Sequence, residues 1–139
     1  MITIAICDDN PMYLKLLCQN IQKAFQSFTN DFRIVSFDNG KLLLQEHSIS
    51  PFDIVFLDID MPDMSGFDVA KSMRNNASNC FLIFVTSYSE FVYQSFDFRP
   101  FHFIRKLPEE TLEGSVQDVV KLLMEHMKQY KQIILTDDL

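Results

Sequence analysis

The chain has 139 residues, of which 47% are hydrophobic, including 14 Phe, and its formal net charge is −7. This length suits one domain with a sizeable core, and the composition excludes a disordered chain. The acidic balance argues against direct binding of nucleic acid to this surface.

Two further features concern the cell compartment. No stretch is apolar enough to predict a membrane span, and the N-terminus lacks the pattern of a signal peptide. The three cysteines, Cys7, Cys18 and Cys80, form no C-x-x-C pair. An odd number of unpaired cysteines suits the reducing cytoplasm, so we expect a cytoplasmic protein with no membrane contact.

Short runs rich in β-branched and aromatic residues alternate with helical patterns along the chain. We predict strands over 2–7, 32–37, 53–58, 80–86 and 101–105. We predict helices over about 11–28, 42–47, 66–75, 89–96 and 108–130. This alternation predicts an α/β domain with a parallel sheet and right-handed crossovers.

The last residues are expected to lie outside this domain. We place the domain at 1–130 and interpret 131–139 as a tail or linker toward an output domain that this chain lacks. Within the tail, residues 132–135 (QIIL) have the composition of one short strand.

The third predicted strand is an almost purely apolar run that ends at Asp58. Burying a carboxylate without a partner is costly, so we expect Asp58 at the exposed carboxyl tip of the strand. The following residues, 61–66, contain Pro, Ser and Gly and predict a turn into the next helix. Alone, Asp58 is compatible with a metal ligand, a nucleophile or a capping residue.

Polar residues also follow the other strands. Asp8 and Asp9 follow the first strand, Thr86 ends the fourth, and Lys106 follows the fifth. The carboxyl ends of parallel strands share one edge, so these residues and Asp58 should converge. Clustered carboxylates require a cation, and oxygen ligands favour Mg²⁺. A lysine and a hydroxyl beside them suit phosphoryl oxygens, so the pattern predicts phosphoryl transfer to a carboxylate.

The motifs occur in one recognisable order, listed here along the chain: Asp8-Asp9, the 57–66 block LDIDMPDMSG, the 85–87 triplet VTS, and Lys106. With these motifs the chain resembles the receiver domain of two-component response regulators over about 1–130. The resemblance implies a flavodoxin-like doubly wound fold, with five parallel strands in the order 2-1-3-4-5 and five helices. The 99–106 run, RPFHFIRK, is similar to receivers that precede a LytTR-type (LytR/AlgR-like) DNA-binding domain.

The resemblance also implies metal and phosphate ligands. Asp58 would accept the phosphoryl group. Mg²⁺ would be bound directly by Asp9 and Asp58, by the backbone carbonyl of Asp60, and by Asp8 directly or through water.

Further roles follow from the same resemblance. Thr86 would hydrogen-bond the phosphoryl group, Lys106 would pair with it, and Phe103 matches the aromatic residue that reorients during switching. A histidine kinase would be the donor. The helix after the fourth strand, the fifth strand and the last helix would form a homodimer interface, and DNA would be contacted only through the absent output domain. Such a switch is not an enzyme with small-molecule turnover.

The chain departs from the family pattern after the lysine. Pro usually follows directly in a cis bond, but here Leu107 follows Lys106, and Pro108 comes next. A cis bond before a residue other than proline is costly, so we expect a trans bond at this point and a differently shaped loop.

Two alternative functions stay open at this stage. Asp58 and Asp60 resemble the D-x-D motif of haloacid-dehalogenase-type phosphatases, although that motif normally ends the first strand of a larger domain. A degenerate receiver that only binds partners is favoured by Leu107 and opposed by the complete set of site residues.

The remaining aromatic and histidine residues carry weaker signals. His47, His102 and His126 lack metal-ligand spacing, so we predict surface or edge positions for all three. A dense aromatic set near the fifth strand predicts core packing together with an exposed partner patch. Its members are Phe91, Tyr93, Phe96, Phe98, Phe101 and Phe103.

Overall fold

Five strands alternate with four α-helices in the part of the chain that the computed structural model describes. This part comprises residues 1–87, 94 and 96–137, with side chains described up to residue 128. The strands are β1 (Ile2–Cys7), β2 (Phe32–Phe37), β3 (Ile54–Asp58), β4 (Phe81–Thr86) and β5 (His102–Arg105). The helices are α1 (Pro11–Gln26), α2 (Gly40–Ile49), α3 (Gly66–Asn75) and α4 (Leu112–Asp137), with 3₁₀ turns at Phe96–Phe98 and Glu109–Thr111.

The strands form one parallel sheet in the order β2-β1-β3-β4-β5, as predicted. The register aligns the carboxyl ends of the central strands, since Cys7 pairs with Leu57 and Asp58 pairs with Val85. The residues that follow β1 and β3 therefore meet at one edge. That edge is where ligands bind in open sheets of this class.

The sheet is covered on both faces, which explains why its central strands are continuously apolar. Along β1, Ile4 and Ile6 pack into the layer that contains α1 and α4. Ala5 and Cys7 pack into the opposite layer, which contains α2 and α3. Each large aliphatic side chain buried in this way contributes about 1.5–3 kcal/mol to the free energy of folding.

Local signals determine where α1 and α3 begin. Asn10 caps α1 by accepting hydrogen bonds from the backbone N–H groups of Met12 and Tyr13, and Pro11 opens the helix. Ser65 caps α3 in a reciprocal capping box with Asp68. These caps place the first turns of both helices beside the carboxyl edge of the sheet.

The C-terminal region differs from the prediction. Residues 109–111 form a 3₁₀ turn, so α4 begins at Leu112 instead of 108. The backbone is then helical through Asp137, and the short strand predicted at 132–135 is wrong. Beyond Gly114 the sequence contains no Gly or Pro that would interrupt the helix. An established helix therefore extends one hydrogen bond at a time, whereas a lone strand gains nothing without a neighbour.

The fifth predicted helix, over 89–96, falls almost wholly on residues outside the described part of the chain. Its last residue, Phe96, belongs to the first 3₁₀ turn and is 63% exposed. Phe98 stacks against Phe67, and Phe101 packs against Phe81. Phe98 and Phe101 are thus partly buried against the core and Phe96 is exposed, while Phe91 and Tyr93 lie outside the described residues.

The loop after β5 contains a cis peptide bond at Leu107–Pro108, the only cis bond among the described residues. The bond between Lys106 and Leu107 is trans, as predicted. Among the described helices, none combines the length and the apolar character that crossing a bilayer demands.

His47 is buried, which contradicts the predicted surface position. Its Nδ1 accepts a hydrogen bond from the backbone N–H of Phe52 at 3.1 Å. The ring therefore carries its proton on Nε2, which lies 2.8 Å from the hydroxyl of Ser78. These hydrogen bonds satisfy both ring nitrogens, so the histidine is tolerated in the interior. His102 and His126 are exposed, as predicted.

Candidate functional site

Asp58 is the last residue of β3 and is only 3% exposed. The expectation of an exposed strand tip is therefore wrong. The reason is Lys106, whose Nζ lies 3.2 Å from Asp58 Oδ1 and supplies the partner that a buried carboxylate needs.

The loop after β3 folds back tightly onto the strand end. The backbone N–H of Gly66 donates to the carbonyl of Ile59 at 2.9 Å. A Cβ atom on Gly66 would clash with the carbonyl oxygen of Asp58, so no side chain is tolerated at this position. Glycine is required here because the chain passes so close to the strand that carries Asp58.

Asp8 follows β1 and is fully buried. Its Oδ1 accepts a hydrogen bond from the backbone N–H of Asn10 at 2.9 Å, and its Oδ2 lies 2.6 Å from Lys106 Nζ. Apart from this ion pair, Oδ2 makes no hydrogen bond with the described residues. A buried carboxylate oxygen with spare acceptor capacity is suited to an additional cation.

Carboxylate oxygens from Asp8, Asp9 and Asp58 lie within 4.8 Å of one another, and Asp9 alone of the three is exposed. Three such oxygens with access to solvent on one side match the needs of Mg²⁺, which takes a few carboxylates and keeps several waters. The residues present therefore fit this ion.

Lys106 connects the strands of this edge. It is 5% exposed, and its backbone N–H donates to the carbonyl of Thr86 at 2.8 Å. The side chain extends past the end of β3 towards the end of β1. There Nζ lies 4.5 Å from the centre of the ring of Tyr13, a residue of α1. Tyr13 was not singled out from the sequence, although its position four residues after Asp9 in the first turn of α1 is a usable signal.

Burial and charge alter the acid–base properties of the cluster. Burial, followed by the negative charge of Asp8, raises the pKa of Asp58 to about 7, against the opposing effect of Lys106. Burial alone would lower the pKa of Lys106, but hydrogen bonds and charges from Asp8 and Asp58 outweigh it and raise that pKa. The metal-free site thus holds Asp58 close to the midpoint of its titration at neutral pH.

The other predicted site residues are placed as follows. Thr86 is fully buried at the carboxyl end of β4. Phe103 is half-buried against the α2–α3 layer. Asp60 is exposed in the loop after β3, and its carboxylate is not part of the described carboxylate cluster. The fold therefore brings together Asp8, Asp9, Asp58 and Lys106, with Thr86 at the same edge.

Residues 4–117 match the family model of the response regulator receiver domain. The chain belongs to this family. Receiver domains are phosphorylation-activated switches of two-component signalling, and the family as a whole is not defined by small-molecule turnover.

Related proteins agree with this assignment. The receiver is 30% identical to an uncharacterized response regulatory protein of Vibrio cholerae, over 75% of this chain and 39% of that protein. It is 26% identical to the transcriptional regulatory protein NatR of Bacillus subtilis, over 99% of this chain and 64% of that protein. The chain thus spans less than two thirds of the length of these relatives.

Solved structures show the same fold. The response regulatory domain of protein mrkE from Klebsiella pneumoniae has a TM-score of 0.75 at 24% identity, covering 92% of this chain and 99% of that one. The response regulator TrrA of Thermotoga maritima, solved in complex with Mg²⁺-BeF, has a TM-score of 0.68 at 26% identity. It covers 86% of this chain and 99% of that one.

Proposed function

We propose that this receiver accepts a phosphoryl group on Asp58 from a histidine kinase. One observation carries the proposal: the Asp58 carboxylate ends the central strand, faces Lys106 at 3.2 Å, and shares a tight cluster with Asp8 and Asp9. Asp8 also meets Lys106, at 2.6 Å, but its other oxygen is held by the backbone N–H of Asn10.

In the proposed reaction, an oxygen of ionised Asp58 forms a bond to phosphorus while the bond between phosphorus and the donor's leaving group breaks. The product is an acyl phosphate. Mg²⁺, held by Asp8, Asp9, Asp58 and the backbone carbonyl of Asp60, would supply charge neutralisation when bound. Lys106 already points at Asp58, so its ammonium is placed to pair with the added phosphoryl oxygens.

The proposed readout is a change of surface. The new charge on Asp58 would draw the hydroxyl of Thr86 towards it, and Phe103 would follow. We infer homodimerisation through the 89–96 segment, β5 and α4, supported by the exposed Phe96 beside β5. Transcription would then be controlled by a DNA-binding domain of LytTR type. The name of NatR, a transcriptional regulatory protein, is in line with such an output.

Two features support a cytoplasmic site of action. All three cysteines are free thiols. A histidine kinase and a DNA target would both be reached from that compartment.

Intact-mass spectrometry with acetyl phosphate tests the phosphoacceptor. We expect one phosphoryl adduct on the wild type, dependent on Mg²⁺ and absent from Asp58→Asn. Asp63→Asn is the matched control, since it removes an exposed carboxylate from the same loop. An adduct that persists in Asp58→Asn would refute the assignment.

The same assay separates the proposal from phosphatase chemistry. Asp60→Asn should still form the adduct, because the side chain of Asp60 lies outside the carboxylate cluster. Continuous release of phosphate from small esters, lost in Asp60→Asn, would instead favour the phosphatase. If the folded wild type binds Mg²⁺ but forms no adduct, the result would favour a degenerate receiver that only binds partners.

A further inference from the structure

The ammonium group of Lys106 has three partners among the residues that the structure describes, and they differ in what phosphorylation would do to them. Two are carboxylates: Asp8 Oδ2 at 2.6 Å and Asp58 Oδ1 at 3.2 Å. The third is the face of the Tyr13 ring, whose centre lies 4.5 Å from Nζ. This distance is within the range of a cation–π interaction.

The proposed reaction uses both carboxylates. Asp58 becomes an acyl phosphate, and Asp8 shares its charge with a metal ion. An aromatic face is neutral and is neither phosphorylated nor a ligand for Mg²⁺, which prefers oxygen. Among the described residues, the contact with Tyr13 is therefore the one contact of the Lys106 ammonium that the chemistry leaves unchanged.

The structure also fixes the backbone that carries the ring. Tyr13 lies in the first turn of α1, where its backbone N–H donates to the Asn10 cap at 3.2 Å. Asn10 in turn donates its own backbone N–H to Asp8. The backbone of Tyr13, the cap and the buried carboxylate are therefore connected by hydrogen bonds at the start of α1.

We propose that Tyr13 is a positioning residue that holds the Lys106 ammonium over the site before, during and after phosphorylation. This inference rests on the proposed role of Asp58. Without the ring, Lys106 keeps its charge but loses the contact that fixes its location once the carboxylates are occupied. Phosphoryl transfer should then slow, because the ammonium no longer stands where negative charge develops.

The kinetic test compares Tyr13→Leu with Tyr13→Phe. Phenylalanine keeps the aromatic face, whereas leucine keeps apolar bulk without it. At saturating Mg²⁺, we expect the second-order rate constant for acetyl phosphate to fall about tenfold in Tyr13→Leu and to stay within about twofold in Tyr13→Phe. Phe28→Leu, which removes a half-exposed aromatic ring beyond the far end of α1, is the matched control and should react at the wild-type rate. Equal rates for the two Tyr13 variants would overturn the proposal.

A spectroscopic test follows Lys106 directly. A proton above an aromatic face has an upfield ring-current shift, so the Lys106 Hε resonances should be upfield in wild type and Tyr13→Phe but not in Tyr13→Leu. The shift should persist with Mg²⁺ and with Mg²⁺ plus beryllofluoride, a phosphoryl mimic. Its disappearance on adding Mg²⁺ would overturn the positioning role.

The two tests also separate the inference from the proposed function. If wild type accepts no phosphoryl group, the role of Asp58 fails. The comparison of the Lys106 resonances with and without Mg²⁺ needs no phosphorylation and still decides whether Tyr13 retains the ammonium.

Discussion

The side chain of Arg74 is hydrogen-bonded to the main chain of Phe98, with 2.8 Å between Nε and the carbonyl oxygen. The same guanidinium donates from Nη1 to the carbonyls of Ser78 and Cys80 at 2.8 and 3.1 Å. Its Nη2 donates to the carbonyl of Arg99 at 3.2 Å. One side chain at the end of α3 thus joins the loop before β4 to the segment before β5.

Replacing Arg74 with Met should therefore loosen both segments. We expect the free energy of unfolding in urea to fall by about 2–4 kcal/mol, because several carbonyls lose a charged donor together. Amide hydrogen exchange should accelerate over residues 99–103. Lys71→Met, at an exposed position of the same helix, is the control. A comparable loss of unfolding free energy in that variant would show that the hydrogen bonds of Arg74 are unimportant.

Gly66 and Gly114 offer a matched pair of substitutions. Alanine at 66 would place its Cβ against the backbone of Asp58 and Ile59, so we expect a loss of at least about 2 kcal/mol and slower phosphorylation. Alanine at 114 meets nothing within 4 Å and should stabilise α4 by about 0.5–1 kcal/mol. Thermal unfolding of both variants checks the pair, and a well-tolerated Gly66→Ala would mean that the loop does not approach the strand as described.

Magnesium should stabilise the fold through the carboxylate cluster. In 10 mM Mg²⁺ compared with EDTA, we expect the free energy of unfolding to rise by about 1–3 kcal/mol, because an ion that binds only the native state shifts the equilibrium. Asp9→Asn should reduce this gain, since it removes the exposed carboxylate of the cluster. Sodium chloride of equal ionic strength is the control. A gain of the same size from sodium would indicate general screening.

The raised pKa of Asp58 predicts a pH dependence in metal-free protein. The pKa is about 7 in the folded state and 3.8 as the ordinary value, so protonated Asp58 favours the native state. This contribution is complete below pH 3.8 and is lost as the pH rises through 7. The unfolding free energy of wild type minus that of Asp58→Asn should therefore fall over this window, by up to about 4 kcal/mol.

Urea titrations in EDTA at several pH values measure that difference. Wild type minus Asp63→Asn is the matched control, because Asp63 is an exposed carboxylate of the loop that follows Asp58. A difference between wild type and Asp58→Asn that rises with pH would contradict the buried setting of this carboxylate.

His47 predicts a pH dependence of opposite sign. Burial, followed by the positive charge of Arg74, lowers its pKa below the ordinary 6.5, and its bond from Phe52 requires the neutral ring. Its contribution is complete above pH 6.5 and is lost as the pH falls below that value. Wild type should thus lose stability relative to His47→Gln between pH 7 and pH 5. His102→Gln replaces an exposed ring and keeps His47, so the stability of this control variant should change with pH as that of the wild type does.

Much of this architecture could be predicted because the central strands are buried on both faces. Continuous apolar runs such as 54–57 and 82–85 indicate a parallel sheet, and the residues after them must share an edge. That rule alone predicts the convergence of Asp8, Asp9, Asp58 and Lys106.

The errors have a common physical origin. Asp58 and His47 are polar residues made tolerable in the interior by partners far along the chain, Lys106 in one case and Ser78 in the other. The local pattern around each residue does not contain these partners, although the shared strand edge does predict that Lys106 lies near Asp58. The helical state of 132–135 was missed because a short β-branched run resembles a strand, while its true state depends on the helix already formed before it.

The length of α4 has a mechanical consequence. Among its described side chains, the last that packs against the core is Met127, yet the backbone stays helical to Asp137. At about 1.5 Å per residue, the stretch beyond Met127 is a lever roughly 15 Å long, and a tilt of about 10° at Met127 would displace its far end by about 3 Å. A movement too small to disturb the packed layers would thus be magnified several-fold before it reached the end of the helix.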